Sequence, residues 1–415
     1  MSASSVSVIV VSRGRAADLP LCLLGISQLD YPAFEVVLVA DDEGIDAARA
    51  LPFFDDLKVV PFDEANISAA RNLGIAEAAG EIVAFIDDDA VPEPTWLRYL
   101  VAGFNEPEVA ASGGFVIGRN GISFQWKARS VDCTGTALPL DVDAERISVL
   151  TPQNGRAIKT EGTNMALRRD VIVKMGGFDS AFRFFLDETD VNFRLMRAGH
   201  KTAIAPLAQV HHGYKASATR RGDRVPTDLT EIGASLAVYL RKHAPGAMHE
   251  TVFARMRHEQ RVRALRHMVN GLIEPRDVRR LLGSFDRGVA SGCLRALVHT
   301  VEIPRARSGF RAMARRYAGP HVVLSGRAVE RSALMTKAAA AVKQGNRVSL
   351  FLFSRGMRPH RVRFTKEGVW LQRGGTLGRS LRSDSRISLN SSLKKLTLEL
   401  KRLAKIRDFP PKEIN

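Results

Sequence analysis

The segment Ile82-Val83-Ala84-Phe85-Ile86 is a continuous apolar run, and three carboxylates, Asp87-Asp88-Asp89, follow it at once. Such a run, without alternation, reads as a strand buried on both faces. The carboxylates then stand at its carboxyl end, the edge at which open α/β sheets bind ligands. Adjacent acids disfavour one another's charge unless a cation is shared among them. A hard divalent ion carrying a phosphorylated ligand is the natural occupant. The competing reading is a solvated acidic turn ahead of Pro92 and Pro94.

The flanking pattern places this strand in a sheet. Residues 66–79 (NISAARNLGIAEAA) have helical composition, with Gly80 where a C′ glycine would end the helix. Residues 6–11 (VSVIVV) read as a strand, Ser12-Arg13-Gly14 as a turn and residues 18–28 as a helix; residues 35–40 (EVVLVA) read as a second strand ending in Asp41-Asp42. Strands alternating with helices, the strands apolar throughout, predict an α/β fold with a mostly parallel sheet and helices on both faces.

The ordered segments VSVIVVSRGR, EVVLVADDEG, NISAARNLGIAEAAGEIVAFIDDDAVPEPTWL, EGTNMALRRD and GGFDSAFRFFLDETDVNFRLMRAGHKTAIAP, between residues 6 and 212, resemble the family-2 glycosyltransferases. The resemblance implies the Rossmann-like GT-A fold, a nucleoside-diphosphate-sugar donor, UDP-linked by family habit, and Mn²⁺ or Mg²⁺ as cofactor. It further implies that Ser12 and Arg13 hold the nucleoside, that Asp41 reads the base edge and that Arg71 lies near the base and diphosphate. Asp87 and Asp88 fall on the nucleotide side, and Asp89 and His211 fall at the metal, with His212 as a spare neighbour. Gly162, Thr163 and Asn164 would line the donor sugar and acceptor, although a plain turn is the alternative for each. One departure is Asp41-Asp42-Glu43-Gly44 where the family carries Asp-x-Ser. Trp96 reads as a packing residue rather than a sugar platform.

A second acidic group, Asp187-Glu188-Thr189-Asp190, precedes Val191, Leu195 and Ala198 at helical spacing and Gly199 as the stop, so the acids occupy a first helical turn. Acids there offset the helix macrodipole by ~0.3–1 kcal/mol. Under the resemblance Glu188 is the general base, with Asp187 beside it in the order Asp-Glu where the family has Glu-Asp. Two separated acidic sites suit a single inverting displacement. A cation stabilises the departing diphosphate, and a carboxylate takes the proton of the attacking acceptor hydroxyl.

Cys22, Cys133 and Cys293 are too few and too scattered for a disulfide framework or a cysteine-rich metal site. The N-terminus lacks a basic n-region, and no stretch approaches the ~20 apolar residues of a membrane span. The expectation is a cytoplasmic protein, soluble or peripheral at the cytoplasmic face of a membrane. Charge divides sharply: residues 1–210 hold 19 Lys and Arg against 29 Asp and Glu, whereas residues 211–415 hold 42 against 15. Basic stretches at residues 254–266, 275–280 and 305–316 are open to three readings: solvated helix faces, a surface for an anionic membrane or phosphate-bearing acceptor, or a nucleic-acid surface. No nucleic-acid motif or aromatic cluster accompanies the charge, so no nucleic-acid partner is expected.

Residues 321–325 and 346–353 read as strands flanking a helix at 329–344, and residues 361–364 with 368–372 as a hairpin. Leu393, Leu396, Leu400 and Leu403 form a helical stripe beside lysines; it either docks on the protein's own core or lies on an anionic bilayer. The expected organisation is a catalytic domain (1–215), a basic, mainly helical region (216–318) and a small α/β module with a C-terminal amphipathic helix (319–415). The expected function is a metal-dependent inverting glycosyltransferase acting on a glycan or lipid-linked acceptor in polysaccharide or glycoconjugate synthesis. The alternatives are a non-catalytic nucleotide-sugar or anionic-polymer binding protein, and a sugar nucleotidyltransferase.

Overall fold

The computed structural model describes residues 3–297, 301–304, 308–385 and 390–409; the start of the basic stretch at residues 305–307 lies outside them. Four parallel strands, β1 (Val6–Ser12), β2 (Phe34–Ala40), β3 (Leu57–Pro61) and β4 (Ile82–Asp87), stand in the order β4-β1-β2-β3. Their register sets Ser12 against Ala40 and Val11 against Asp87, so Ser12, Asp41 and the three aspartates share one sheet edge. Alternate residues point to opposite faces. Val8, Val10, Leu38, Ala84 and Ile86 pack with Cys22, Leu23 and Ile26 of α1 (Leu19–Ser27). Ile9, Val37, Val39, Val83 and Phe85 pack with Ala70 and Ile75 on the other face.

The link between β2 and β3 carries α2 (Asp42–Arg49), and α3 (Ile67–Glu77) leads into β4. The Asn66 side chain caps α3 by accepting from the Ala69 N–H. The helix ends at Glu77 and not at Gly80, because residues 78–81 must cross β1. A Cβ on Gly80 would lie 2.8 Å from Ser7 N, and the Gly80 N–H donates to Ser7 Oγ at 2.9 Å.

Beyond β4 the sheet becomes mixed, through β5 (Ala90–Pro92), β6 (Val109–Ile117), β7 (Met165–Arg168) and β8 (Lys201–His212). Strand β7 runs antiparallel between β4 and β6, with Met165 opposite Phe85. Reversal of that strand carries residues 162–164, just before it, to the carboxyl end of β4. Strand β8 runs parallel to β6 and antiparallel to β5, pairing His212 with Ala90 and His211 with Val91.

Helix α4 (Trp96–Ala102) covers the sheet, and α5 (Asp187–Arg197) leads the chain into β8. Three further helices, α6 (Thr230–His243), α7 (His249–Val269) and α8 (Pro275–Leu294), share a core that includes Leu236, Leu240, Leu281 and Phe285. The C-terminal module comprises β9 (His321–Arg327), α9 (Arg331–Lys343), β10 (Arg347–Ser354), β11 (Arg361–Phe364), β12 (Val369–Gly375) and α10 (Ser392–Arg407), with sheet order β9-β10-β12-β11. Helix α9 covers one face through Ala338 and Val342. On the other face Leu400, Leu403 and Ile406 of α10 pack on Phe351 and Phe353, and Trp370, Val362 and Phe364 pack on Val91 and Ile122 of the larger domain. The leucine stripe is therefore a docking surface for the protein's own core. No helix among the described residues is long and apolar enough to cross a membrane.

Leu403 is buried whereas Leu393 is 73% exposed. Leu403→Ala is expected to cost ~2–5 kcal/mol in urea unfolding, and Leu393→Ala no more than ~0.5 kcal/mol. Equal effects would contradict the packing of this helix.

Candidate functional site

Asp87 sits at the end of β4, Asp89 just beyond it and His212 at the end of β8, and one ligand atom from each lies within 4.8 Å of the other two. His212 Nε2 is 3.2 Å from Asp89 Oδ1 and 3.8 Å from Asp87 Oδ2. The other ring nitrogen, Nδ1, is 3.1 Å from Gln125 Oε1. With Nδ1 donating to that oxygen, Nε2 offers its lone pair towards two carboxylates, an arrangement that a cation among the three completes. Two carboxylates and an imidazole suit Mn²⁺, and Mg²⁺ less closely because it prefers oxygen alone. The residues thus fit the divalent ion that the sequence implies.

His211 lies elsewhere. Side chains alternate along a strand, so His211 and His212 leave opposite faces of β8. His211 Nε2 is 2.8 Å from Glu93 Oε1, and its ring lies 4.8 Å from that of Trp370. The expectation of His211 at the metal is corrected: the histidine beside Asp87 and Asp89 is its neighbour. Glu93 also takes a two-pronged contact from Arg407 of α10, at 2.8 and 2.9 Å. Burial opposes the charge on Glu93, yet Arg407 and His211 hold its carboxyl down to about 2.

The three aspartates are divided by their partners. Asp88 turns inward, accepting from Ser12 Oγ at 2.8 Å and from Arg15 at 3.0 Å. Burial pushes its carboxyl up to about 7 against the pull of Arg15 and Ser12. Asp89 accepts from the Lys215 N–H at 2.7 Å and lies 3.0 Å from Arg15. Burial opposes the charge on Asp89, but with His212 protonated its Nε2–H and Arg15 outweigh burial and hold Asp89 well below the usual carboxylate range. Arg15, three residues past β1, was not singled out in the sequence; its sole signal there is its place in the first βα turn. Arg13 is exposed and pairs with Asp63 at 2.9 Å. Asp41 caps α2, accepting from the N–H groups of Gly44 at 3.0 Å and Gly14 at 2.6 Å.

Arg71 joins the two acidic centres. It is buried, ion-paired with Asp187 through Nη1, and 3.6 Å from Asp87 through Nη2. Gly162 lets it pass: a Cβ there would meet Arg71 Nη2 at 2.5 Å. Thr163 is buried, and its Oγ1, closed off from solvent, has no hydrogen-bond partner among the described residues. Asn164 is fully used by the fold. Its Nδ2 donates to Phe115 O at 3.0 Å and Ala208 O at 2.8 Å, and its Oδ1 accepts from Trp96 Nε1 at 2.8 Å. The expected contact of Asn164 with sugar is replaced by a structural one, and Trp96 is core.

Phe185 and Leu186 both hold positive φ, 74° and 64°, immediately before α5. Such strain, of order 1–3 kcal/mol per residue, clusters at functional sites. The acids that follow have separate partners. Asp187 takes Arg71, and burial pushes its carboxyl up against that pull. Glu188 receives Lys159 Nζ at 2.6 Å. Burial opposes its charge, but Lys159 and Arg71 outweigh it and hold the carboxyl low. Asp190 faces Arg194, Lys242 and His243 at 2.8 Å each and ties α5 to α6. Lys159, absent from the sequence-based set, is buried with Glu161, which also pairs with Arg129.

Residues 7–176 match the family model described as glycosyl transferase family 2. In that stretch the chain is similar to the family-2 glycosyltransferases. Among curated proteins, the chain is 28% identical over 219 residues to the probable glycosyltransferase YdaM of Bacillus subtilis, covering 49% of each. It is 30% identical to the O-antigen biosynthesis protein RfbC of Myxococcus xanthus, over 53% of this chain and 18% of that protein. It is 31% identical to the succinoglycan biosynthesis protein ExoM of Rhizobium meliloti, over 42% and 55%. The chain thus spans about half or less of the first two. Distant structural likenesses include GalNAc-T7 with UDP, GalNAc and Mn²⁺, at TM-score 0.44 and 17% identity over 57% of this chain and 48% of that one.

Two outcomes test the site. His212→Ala should abolish high-affinity Mn²⁺ binding in calorimetry, Gln125→Ala should weaken it ~10–100-fold, and His211→Ala should leave it near the parent value. The Glu93 carboxyl is depressed, so its ion pair contributes stability above the unfolded value of about 4.3 and loses it as pH falls towards about 2. Arg407→Met should therefore cost ~3–5 kcal/mol near neutrality, and the gap between parent and variant in urea midpoint should narrow in acid.

Proposed function

We propose that this protein is a metal-dependent, inverting glycosyltransferase that moves a sugar from a nucleoside-diphosphate donor, UDP-linked in our reading, to an acceptor hydroxyl in polysaccharide or glycoconjugate synthesis. The observation that carries the reading is the Asp87–Asp89–His212 cluster, joined through Arg71 to a second acidic centre at Asp187. The names of YdaM, RfbC and ExoM support the reaction class and the polysaccharide setting.

In this reading Asp87, Asp89 and His212 hold the cation, which when bound supplies positive charge to the departing diphosphate. Ser12, Asp41 and the backbone of the first βα turn shape the nucleoside end, and Arg71 faces the diphosphate. Glu188 takes the acceptor proton as the new oxygen–carbon bond forms and the bond from the anomeric carbon to the diphosphate oxygen breaks. Lys159 makes Glu188 a weak base at rest. As the new bond forms, however, the hydroxyl gains oxonium character and becomes a stronger acid than any carboxylic acid, so a carboxylate of low pKa still accepts its proton. Residues 1–215 form the catalytic unit, with the helices to residue 318 and the module beyond as its supports. A glycan or lipid-linked acceptor brings the enzyme to the cytoplasmic face of a membrane.

Glu188→Gln is expected to lower transfer at least ~100-fold with donor binding retained; near-normal turnover would remove Glu188 from the mechanism. Lys159→Met withdraws the charge that favours the Glu188 carboxylate. Its pKa then rises, and the acid limb of the rate profile should move to higher pH. Donor class is read from a thermal-shift panel of nucleoside diphosphates with and without Mn²⁺, where ligand at ~100 times its Kd adds about 2.7 kcal/mol. Release of nucleoside diphosphate only when acceptor is present separates transfer from mere binding.

A further inference from the structure

One end of the C-terminal sheet gathers arginines from four separate segments. The register pairs Arg327 of β9 with Phe353 of β10, Phe353 with Gly374 of β12, and Arg361 of β11 with Arg373 of β12. The carboxyl ends of β9, β10 and β12, the start of β11 and the first residue of α9 therefore lie together. Arg331, Arg355, Arg358, Arg361, Arg363 and Arg373 are all exposed there, and none of them is ion-paired with a carboxylate of the described residues. Arg361 and Arg373 stand directly opposite across a strand pair, where like charges are unfavourable. Burial and the neighbouring guanidiniums of Arg331, Arg363 and Arg361 depress Arg373 below the ordinary arginine range. Several arginines elsewhere, among them Arg15, Arg71, Arg316 and Arg407, are paired with carboxylates.

Two aliphatic side chains project from the same end. Val329, between Arg327 and Arg331, is 83% exposed, and Met357, between Arg355 and Arg358, is 56% exposed. No aromatic ring is exposed in either loop. A soluble polyanion gains little from such aliphatic tips and a nucleic acid would call for stacking rings, whereas an anionic bilayer gains from both, guanidiniums meeting headgroups and short apolar side chains entering the interface. This face also adjoins the catalytic domain. The Val362 N–H donates to Asn120 O at 3.2 Å, in the loop that leaves β6 just after Ile117, the residue paired with His211.

We propose that this end of the C-terminal sheet is a docking face for an anionic lipid bilayer, with Arg331, Arg361, Arg363 and Arg373 on the headgroups and Val329 and Met357 seated among them. The proposal rests on the reading of the acceptor as lipid-linked, and it moves the membrane contact from the leucine stripe of α10, where Leu400 and Leu403 are buried against the module's sheet, to the opposite side of the module's fold.

The test is co-sedimentation of the full chain with phosphatidylcholine vesicles, with and without phosphatidylglycerol, across a salt series. The parent should bind only the anionic vesicles and detach as salt rises. Combining Arg361→Ser, Arg363→Ser and Arg373→Ser should weaken binding at least ~10-fold, given that each basic side chain near the surface contributes severalfold. Val329→Ser with Met357→Ser should weaken it about threefold or more. Lys394→Ser with Lys401→Ser on α10 should change nothing. All these positions are exposed, so an unchanged melting temperature is the check on folding. Stabilisation by UDP with Mn²⁺, measured on the same variants, reports the donor site independently of the membrane face. No binding by the parent, or full binding by the arginine variant, overturns the proposal. So does loss of binding that follows the arginines alone, with dextran sulfate bound as tightly as vesicles, since that marks a soluble polyanion site.

Discussion

The buried carboxylate of Glu93 holds the molecule together at its most sensitive point. It follows β5 directly, and its two oxygens are claimed by Arg407 from the last helix and by His211 from β8. Arg407 also stacks on Trp370, 4.5 Å from the ring centroid. A charge so deeply buried is tolerable only when paired and hydrogen-bonded. Strand β5, which follows Asp89, and strand β8, which carries His212, are thereby fixed to each other, and the C-terminal module is fixed to both. Loss of Arg407 or of Glu93 alone leaves a bare charge in the interior, and that cost holds the C-terminal module to the larger sheet.

The same logic separates the acids of the site. Arg15 takes Asp88 inward and steadies Asp89, Arg71 stands between Asp87 and Asp187, and Lys159 takes Glu188. Five carboxylates within one cleft would disfavour one another's ionisation; three interposed cations keep them distinct. Asp87 remains the most open of the three aspartates. The strained pair Phe185-Leu186 serves the same end, turning the chain so that Asp187 and Glu188 start a helix while facing Arg71 and Lys159.

Much of this was legible in the chain. The apolar run of β4 and its aspartates, the strands β1 and β2 with the helices α1 and α3, and the acidic start of α5 follow from local periodicity, whereas α2 and β3 between residues 42 and 61 were not read from the pattern. The boundaries that moved did so for non-local reasons. Residues 78–81 leave the helix because they must cross β1, and Gly80 is required there by the nearness of Ser7. The leucine stripe of α10 is equally compatible with lipid or protein as a pattern, and its partners Phe351 and Phe353 are distant in sequence.

Sequence alone determined which chemical groups are present and the element on which each stands, because a side-chain period of two or of 3.6 is a property of the nearest neighbours. It could not decide between His211 and His212, adjacent residues on opposite faces of one strand, since that choice depends on the register of β8 against β5 and on what lies on each side. Nor could it name Arg15, Lys159 or Gln125, whose importance comes from carboxylates and an imidazole brought to them by pairing far along the chain. Tertiary structure assigned the partners because burial makes an unpaired charge costly, and that cost is set only once the strands are packed.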